Sequence, residues 1–303
     1  MLYRHEMDTD ALRWFQLVCD GYTVTEVSDI FGVSQPGVSR ALARLEKEVG
    51  TPLLRRSGRV LRMTHAGVAF KRHVDSVVNH LDDGLAAVSA LLDPEGGVVS
   101  LAYPLSLGSW LVPRLVDGFQ REHARARVLL TRTRVTVEGR PSRELVSRRA
   151  DLELAAHRIR GDGIVWRRVL QEPLVLALPG RHRLAGEEQV ALAEVADDPF
   201  VMRNAPSKMR ERVLSLCREA GFEPDVAYEA EDLPTVRGFV AAGLGVAVVP
   251  AQGLQVPTTF ARARIVALAD EGARREVGLA WVKDRPLLPS AQAFRRFVLT
   301  RGG

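Results

Sequence analysis

Nine basic side chains fall between Ser34 and His73: Arg40, Arg44, Lys47, Arg55, Arg56, Arg59, Arg62, Lys71 and Arg72. Only Glu46 and Glu48 oppose them, an excess of seven positive charges, whereas the whole 303-residue chain carries +5. The rest of the chain is therefore slightly acidic, and a local cationic block on such a background suits a polyanionic partner. A solvated charged face is the alternative on charge alone. Side chains for covalent or redox chemistry are sparse. Cys19 and Cys217 have no second cysteine nearby and read as small buried hydrophobes of a reducing, cytoplasmic setting. His123, His157 and His182 are scattered and none forms a metal-spaced pair. Gly243-Leu244-Gly245 offers part of a dinucleotide fingerprint, but a helical pattern precedes it and a strand follows, the reverse of the required order. No Gly-x-Ser-x-Gly elbow or Walker loop occurs. These patterns point to no catalytic residue, metal ligand or cofactor.

The elements carrying the basic block are short helices. Ala11 to Cys19 has apolar residues at helical spacing, with Asp8 or Thr9 as N-cap and Gly21 as stop. A second helix fits Val24 to Phe31, entered through Thr23 and closed by Gly32. A third begins at Ser34, with Pro36 near its first position and Val38, Leu42 and Leu45 as its apolar stripe, and ends at Gly50 and Pro52. Two short helices joined by Gly32-Val33-Ser34 outline a helix-turn-helix at about 24–43. Arg55-Arg56-Ser57-Gly58-Arg59 followed by Val60 to Met63 reads as a basic hairpin, a wing.

Ala66 to Leu92 is a long helical pattern. Phe70, Val74, Val77, Leu81, Gly84, Val88 and Leu91 form a heptad seam with one glycine fault, which suits a dimer contact or an amphipathic helix packed on its own domain. Asp93 to Gly97 is the best domain boundary. Beyond it strands and helices alternate. Strands are expected at 98–102, 128–130, 152–155, 174–178, 200–202 and 245–249, and helices at 110–120, 143–149, 209–220, 234–242 and 290–299. That rhythm argues for α/β domains with largely parallel sheets. Phe239 to Ala251, the longest nearly apolar stretch, is too short and glycine-broken to span a bilayer. The first ten residues have no apolar core and do not read as a signal peptide.

The run Ser34-Gln35-Pro36-Gly37-Val38-Ser39-Arg40-Ala41-Leu42-Ala43-Arg44-Leu45-Glu46-Lys47-Glu48-Val49-Gly50-Thr51-Pro52-Leu53-Leu54 closely resembles the recognition helix and following turn of LysR-type transcriptional regulators. The likeness begins near Asp10 and continues to Met63-Thr64-His65-Ala66-Gly67, similar to the family's Leu-Thr-Pro-Ala-Gly entry to its linker helix. His65 stands where proline is usual, Leu54 where phenylalanine is usual, and Val27-Ser28 where two alanines are common. Val98 to Leu115, Arg149 to Ala155 and Val240 to Pro250 resemble the family's effector domain more loosely.

The resemblance implies an α/β chain with a winged helix-turn-helix at 1–65, a linker and dimerisation helix at 66–93 and an effector domain at 96–303. That last part would be periplasmic-binding-protein-like: subdomain I about 96–162 and 269–303, subdomain II about 163–268, around a cleft and joined by two crossing strands. Ser34, Gln35, Pro36, Ser39, Arg40 and Arg44, with Arg55, Arg56 and Arg59 on the wing, are the expected DNA contacts. Gln35 suits an adenine edge and Arg40 or Arg44 a guanine edge or phosphate. Equally, Ser34 can serve only as a cap and Arg44 only as a partner of Glu48. Ser106, Leu107, Thr131, Thr133, Arg203, Ser207 and Asp232 are the expected effector contacts, in a cleft suited to an anionic group. For Ser106, Ser207 and Asp232 a plain capping role is the alternative. The expected partners are double-stranded operator DNA, a small-molecule effector, further copies of the chain as dimer or tetramer, and RNA polymerase, with no membrane. A solute-binding protein without DNA function is the competing expectation.

Overall fold

The computed structural model describes residues 7–57, 60–92, 96–133, 139–252 and 263–302. The chain divides into two compact units, Met1–Leu91 and Leu92–Gly303.

In the first unit, α1 (Thr9–Cys19), α2 (Val24–Phe31) and α3 (Gln35–Val49) precede a hairpin of β1 (Leu54–Ser57) and β2 (Val60–Met63), and α4 (His65–Leu92) follows. Local chemistry fixes each boundary. Asp8 caps α1, Thr23 and Glu26 form a reciprocal capping box on α2, and Ser34 accepts the Gly37 amide at the start of α3. Gly32 and Gly50 close α2 and α3 in the left-handed region, at φ 64° and 82°, where a side chain would be strained. Phe15, Val27, Val38, Leu42, Leu45 and Leu53 form the core, and Val74 and Val78 of α4 close over it.

The entry to α4 depends on close approach. The Thr64 hydroxyl donates to the Pro52 carbonyl at 2.8 Å and accepts the Gly67 amide at 3.0 Å. A Cβ on Gly67 would sit 2.1 Å from the Leu53 carbonyl oxygen, so only glycine fits there. His65 holds the first helical position, where no amide is needed for the helix and proline is equally acceptable. The Val27-Ser28 departure is also accommodated, because Val27 joins the core and the buried Ser28 hydroxyl donates to the Thr25 carbonyl at 2.7 Å.

The second unit contains β3 (Val98–Tyr103), α5 (Leu105–Gly108), α6 (Leu111–Glu122), β4 (Arg127–Arg132), α7 (Arg143–Val146), β5 (Leu152–Ala155), β6 (Ile164–Pro179), β7 (Gln189–Val190), β8 (Phe200–Arg203), α8 (Lys208–Glu219), β9 (Val226–Ala230), α9 (Leu233–Ala241), β10 (Ala247–Pro250), β11 (Ala263–Leu268), β12 (Arg274–Val282) and α10 (Pro289–Arg301). One hydrogen-bonded path runs β4-β3-β5-β12-β6-β11-β7, with β10 also on β6 and a separate β8-β9 pair. Two cores flank it. One gathers Leu101, Leu111, Leu115, Phe119, Leu279 and Phe294, and the other Leu176, Leu178, Phe200, Leu216 and Val248.

The expectation of largely parallel sheets needs correction. Pairing is parallel for β3 with β4 and β5, β8 with β9, and β7 with β11. It is antiparallel wherever β6 or β12 takes part. The strand expected at 174–178 is the last part of sixteen-residue β6, whose first part pairs with β12 before the strand continues among β10 and β11. At the transition the Leu174 amide donates to the Ala273 carbonyl at 2.8 Å. The helix expected at 143–149 stops at Val146, and Arg148 has φ 60°, a conformation helices exclude. The expected break at Asp93-Pro94-Glu95 lies outside the described residues.

Candidate nucleic-acid interface and ligand cleft

Helix α3 buries Val38, Leu42 and Leu45 and turns Gln35, Pro36, Ser39, Arg40, Ala43, Arg44 and Lys47 outward. Its apolar stripe thereby fixes which side chains are free to meet a partner. Ser34 is exposed and its hydroxyl serves as the N-cap. Arg40 leans on its own helix, donating through Nε to the Pro36 carbonyl at 3.3 Å. Arg44 lies 3.7 Å from Glu48 and 3.8 Å from Asp8 and is 60% exposed, a loose arrangement that leaves it able to move to another anion. Arg55 and Arg56 are exposed on β1. Arg59 lies outside the described residues.

Between these elements is a concavity of about 580 Å³, with Tyr22, Thr23 and Thr25 on one wall, Gln35, Ser39 and Ala43 on the second and Arg56 on the third. The α2 side of this wall was not among the expected contacts, although the Thr23-x-x-Glu26 capping signature marks it as a helix start beside the turn. Glu46 does not belong to the charged face. Its Oε1 accepts the amides of Leu53 and Leu54, both at 2.8 Å, and so holds the wing against α3.

In the second unit, Ser106 sits in the turn of helix after β3, and Arg275 Nη1 donates to its Oγ at 3.4 Å. Leu107 corrects the expectation. Its side chain is fully buried in the core and its amide donates to the Pro104 carbonyl at 3.0 Å, so neither group is presented to a ligand. Thr131 is exposed at the end of β4, and the Thr133 amide donates to the Tyr103 carbonyl at 2.8 Å. Arg203 ends β8, where burial lowers its pKa and Asp232 and Glu231 partly restore it. Ser207 accepts the Arg210 amide at 3.3 Å and Asp232 accepts the Thr235 amide at 2.8 Å; the Thr235 hydroxyl first, and then this amide, hold Asp232 below the usual carboxylate range. Both side chains cap the helices that follow them.

Sequence reasoning missed the charged centre of this unit. Glu172 on β6 and Arg275 on β12 are register partners, both buried, with Arg275 Nη2 2.7 Å and Nε 2.8 Å from Glu172 Oε2. Arg237 of α9 is buried beside them and donates to the Pro250 carbonyl at 3.2 Å. Lys208, at the start of α8, approaches the segment of Gly139 and His157: a Cβ on Gly139 would lie 3.6 Å from Lys208 Cε and 3.8 Å from His157 Cδ2. Elements after β3 and β4 thus meet α8 and the β6–β12 pair. Among the described residues, no His, Cys, Asp and Glu side chains gather into a metal-binding group, and no helix is long and apolar enough to cross a membrane.

Residues 93–303 match the LysR substrate binding domain, and residues 9–68 match the bacterial regulatory helix-turn-helix proteins of the lysR family. The chain belongs to the LysR family of transcriptional regulators. Whole-length relatives agree. An uncharacterized HTH-type transcriptional regulator, YybE of Bacillus subtilis, is 32% identical, covering 97% of this chain and 99% of its own. The transcriptional dual regulator GltC of the same organism is 31% identical over 97% of each chain. The fold resembles the crystal structure of CbnR, a LysR family regulator, with a TM-score of 0.73 at 21% identity over 98% of this chain and 99% of that one. Full-length CbnR complexed with its target DNA gives a TM-score of 0.72 at 21% identity, over 98% and 100%. This LysR-family protein is a DNA-binding transcriptional regulator with a substrate-binding effector domain, and its relatives are regulators rather than enzymes.

Proposed function

We propose that this regulator reads operator DNA with the exposed face of α3 and the wing, and that a small molecule in the cleft of the second unit alters that grip. The observation carrying this reading is the division of α3 into a buried Val38-Leu42-Leu45 stripe and an exposed Gln35-Ser39-Arg40-Arg44 face beside the wing arginines. Ser34, Gln35, Pro36 and Ser39 enter the major groove, Arg40 and Arg44 reach a base edge or phosphate, and Arg55, Arg56 and Arg59 follow the flanking backbone. Phosphate contacts set affinity and register, whereas base contacts set sequence choice.

The functional division follows residues 1–65 for DNA, 66–93 for the linker and 96–303 for the effector, with the subdomains meeting near 162 and 268. Ser106, Thr131, Thr133, Arg203, Ser207 and Asp232 rim the cleft. The chain acts in the cytoplasm as a dimer or tetramer and communicates with RNA polymerase. Support for self-association comes from α4, where Val77, Leu81, Leu85 and Val88 are exposed apolar residues on a helix whose Val74 and Val78 are buried. Effector and DNA then change each other's affinity by the same factor.

Fluorescence anisotropy of a labelled duplex from upstream of the regulator's own gene, against a scrambled duplex across a salt series, tests the reading. Specific binding about a thousandfold tighter than scrambled binding, lost in Arg40→Ala, is the expected result. Equal binding of both duplexes with one steep salt slope would reduce the interaction to backbone electrostatics.

A further inference from the structure

Helices α6 and α10 pack together through Phe119, whose ring meets those of Phe294 and Phe297 edge-on at 4.9 and 5.8 Å. Their outward sides are basic. Outside the block at 34–73 the chain is slightly acidic, yet these two helices carry Arg114, Arg121, Arg295, Arg296 and Arg301 against Asp117 and Glu122. Both acids are already engaged. Asp117 pairs with Arg121 at 2.9 Å and Glu122 with Arg301, and the two arginines are 76% and 63% exposed. Such exposed pairs contribute little and exchange readily for another anion. Arg114, Arg295 and Arg296 have no acidic partner among the described residues. Arg114 rests instead on the Trp110 ring, 5.8 Å from its centroid, and donates to the Gly302 carbonyl at 2.8 Å. Arg295 lies over Trp281 at 5.0 Å.

Between the helices runs an open groove of about 340 Å³, with Leu115 and Phe297 as its floor and Arg114, Arg121 and Arg301 on its rims. Gly118 makes room for the Phe297 ring, because a Cβ there would stand 2.8 Å from Phe297 Cζ. Arginines steadied by aromatic rings around an apolar floor are the composition of a protein-binding surface. A guanidinium held in this way matches a carboxylate in shape as well as charge. A phosphate backbone would use the charges and leave the floor empty, whereas an acidic peptide with an apolar residue uses both.

We propose that the α6–α10 groove docks an acidic segment of a partner protein, with carboxylates on Arg114, Arg121 and Arg301 and an apolar side chain between them on Phe297. Asp117 and Glu122 then act as internal stand-ins, which hold Arg121 and Arg301 until the partner's carboxylates replace them. No residue lining the groove belongs to the DNA-reading face of α3 and the wing or to the rim of the cleft. The partner therefore competes with neither operator DNA nor a small molecule for the same side chains.

Fluorescence anisotropy of the full-length protein with a fluorescein-labelled peptide, a Leu-Phe pair flanked on both sides by aspartates and glutamates, tests this. The peptide should bind, and its asparagine and glutamine version should bind more weakly by roughly tenfold to a hundredfold, the range of charge-assisted hydrogen bonds. Replacing Leu-Phe by Ala-Ala should weaken it by about tenfold. Arg121→Gln/Arg301→Gln should lose the acidic peptide by a factor like that of the neutral version while keeping wild-type operator affinity. Gly118→Leu fills the groove and leaves every charge in place, and should also lose the peptide. Because a side chain at 118 displaces Phe297, Phe297→Ala checks the floor without crowding it. Arg40→Ala, on the DNA-reading face, should bind the peptide as the wild type does. No binding at millimolar peptide, equal binding of all peptide versions, or loss confined to Arg40→Ala would each overturn the proposal. A scrambled duplex that weakens in Arg121→Gln/Arg301→Gln while the peptide does not would make the groove a polynucleotide surface instead. Smaller species in sedimentation of Arg121→Glu/Arg301→Glu, with peptide binding unchanged, would make it a contact between copies of this chain.

Discussion

Arg13 on α1 and Asp82 on α4, 69 residues apart in sequence, face each other with both arms of the guanidinium on both carboxylate oxygens. The pair lies one turn beyond Val78, where the apolar packing of α4 on the helix-turn-helix core ends. Lys71 reinforces the same seam by bridging Asp20 at 3.2 Å and Asp75 at 2.6 Å, and Gln16 donates to Asp75 at 2.9 Å. A double-mutant cycle of Arg13→Gln and Asp82→Asn should give a coupling of roughly 0.5–1 kcal/mol, modest because both side chains are partly exposed, read from urea unfolding. No coupling would mean that the hydrophobic contact alone orients α4.

Glu46→Ala should destabilise the DNA-binding unit by about 2 kcal/mol, since it strands the Leu53 and Leu54 amides at the base of the wing. Glu46→Gln keeps an acceptor and should cost less than half as much. Thermal unfolding of both variants checks the ranking, and an Ala variant as stable as wild type would remove Glu46 from the support of the wing.

Stability of the effector domain should carry the signature of Glu153. Burial pushes this carboxyl up to about 7; the Ser142 amide and hydroxyl oppose the shift, and Glu144 adds to it. The folded state therefore holds a proton that the unfolded chain releases near the ordinary value of 4.5. The contribution is complete below that value and is lost as pH rises towards about 7, with a total swing on the order of 3 kcal/mol. His157, lowered by burial, works in the opposite direction below its ordinary value of 6.5. The difference between wild type and Glu153→Gln isolates the carboxyl: the variant should gain relative stability between pH 5 and 7.5 in urea titrations. A flat difference would refute the assignment.

The two cysteines of this chain are poorly placed for thiolate chemistry. Cys19 and Cys217 lie in different units, and burial raises both thiols to about 12, which suppresses the nucleophilic thiolate. Alkylation by iodoacetamide at neutral pH should be slow in the folded state, and peroxide should leave operator binding unchanged. Rapid labelling of either cysteine would contradict this.

The exposed residues of α4 should govern self-association. Val77→Glu combined with Leu81→Glu puts charge on positions 53% and 39% exposed in the single chain, so the monomer should keep its stability while sedimentation shifts to smaller species. Unchanged sedimentation would place the contact elsewhere.

The DNA-binding unit was legible because local rules dominate it. Thr23-x-x-Glu26, Ser34 and the glycines at 32 and 50 each fix a boundary by capping chemistry, and the Val38-Leu42-Leu45 period fixes the buried face. The heptad reading of α4 was only partly informative. Phe70 and Val74 turn to the core of their own unit, and Val77, Leu81 and Val88 are exposed; the side chain of Leu91 lies outside the described residues. In the effector domain the apolar run of β6 is interrupted by Gln171-Glu172-Pro173, so only its last part looked like a strand. Glu172 is buried because Arg275 lies opposite it, 103 residues later, and no local pattern reveals such a partner. Leu107 illustrates the converse. Its position beside Ser106 suggested the cleft, while its apolar side chain went to the core.

The β6–β12 ladder gives the effector domain something closer to a book's spine than a pair of swivels. Its strands are zipped together from Ile164–Val282 to Pro173–Arg274, with a single irregularity at Val277/Gly278, where a Cβ on Gly278 would meet Trp166 at 2.3 Å. A laced ribbon resists sliding of one strand past the other, because every slip breaks its rungs. The ladder therefore keeps β6 and β12 in one register save for that irregularity, and a slip by a single residue would turn every side chain of the slipped strand to the opposite face.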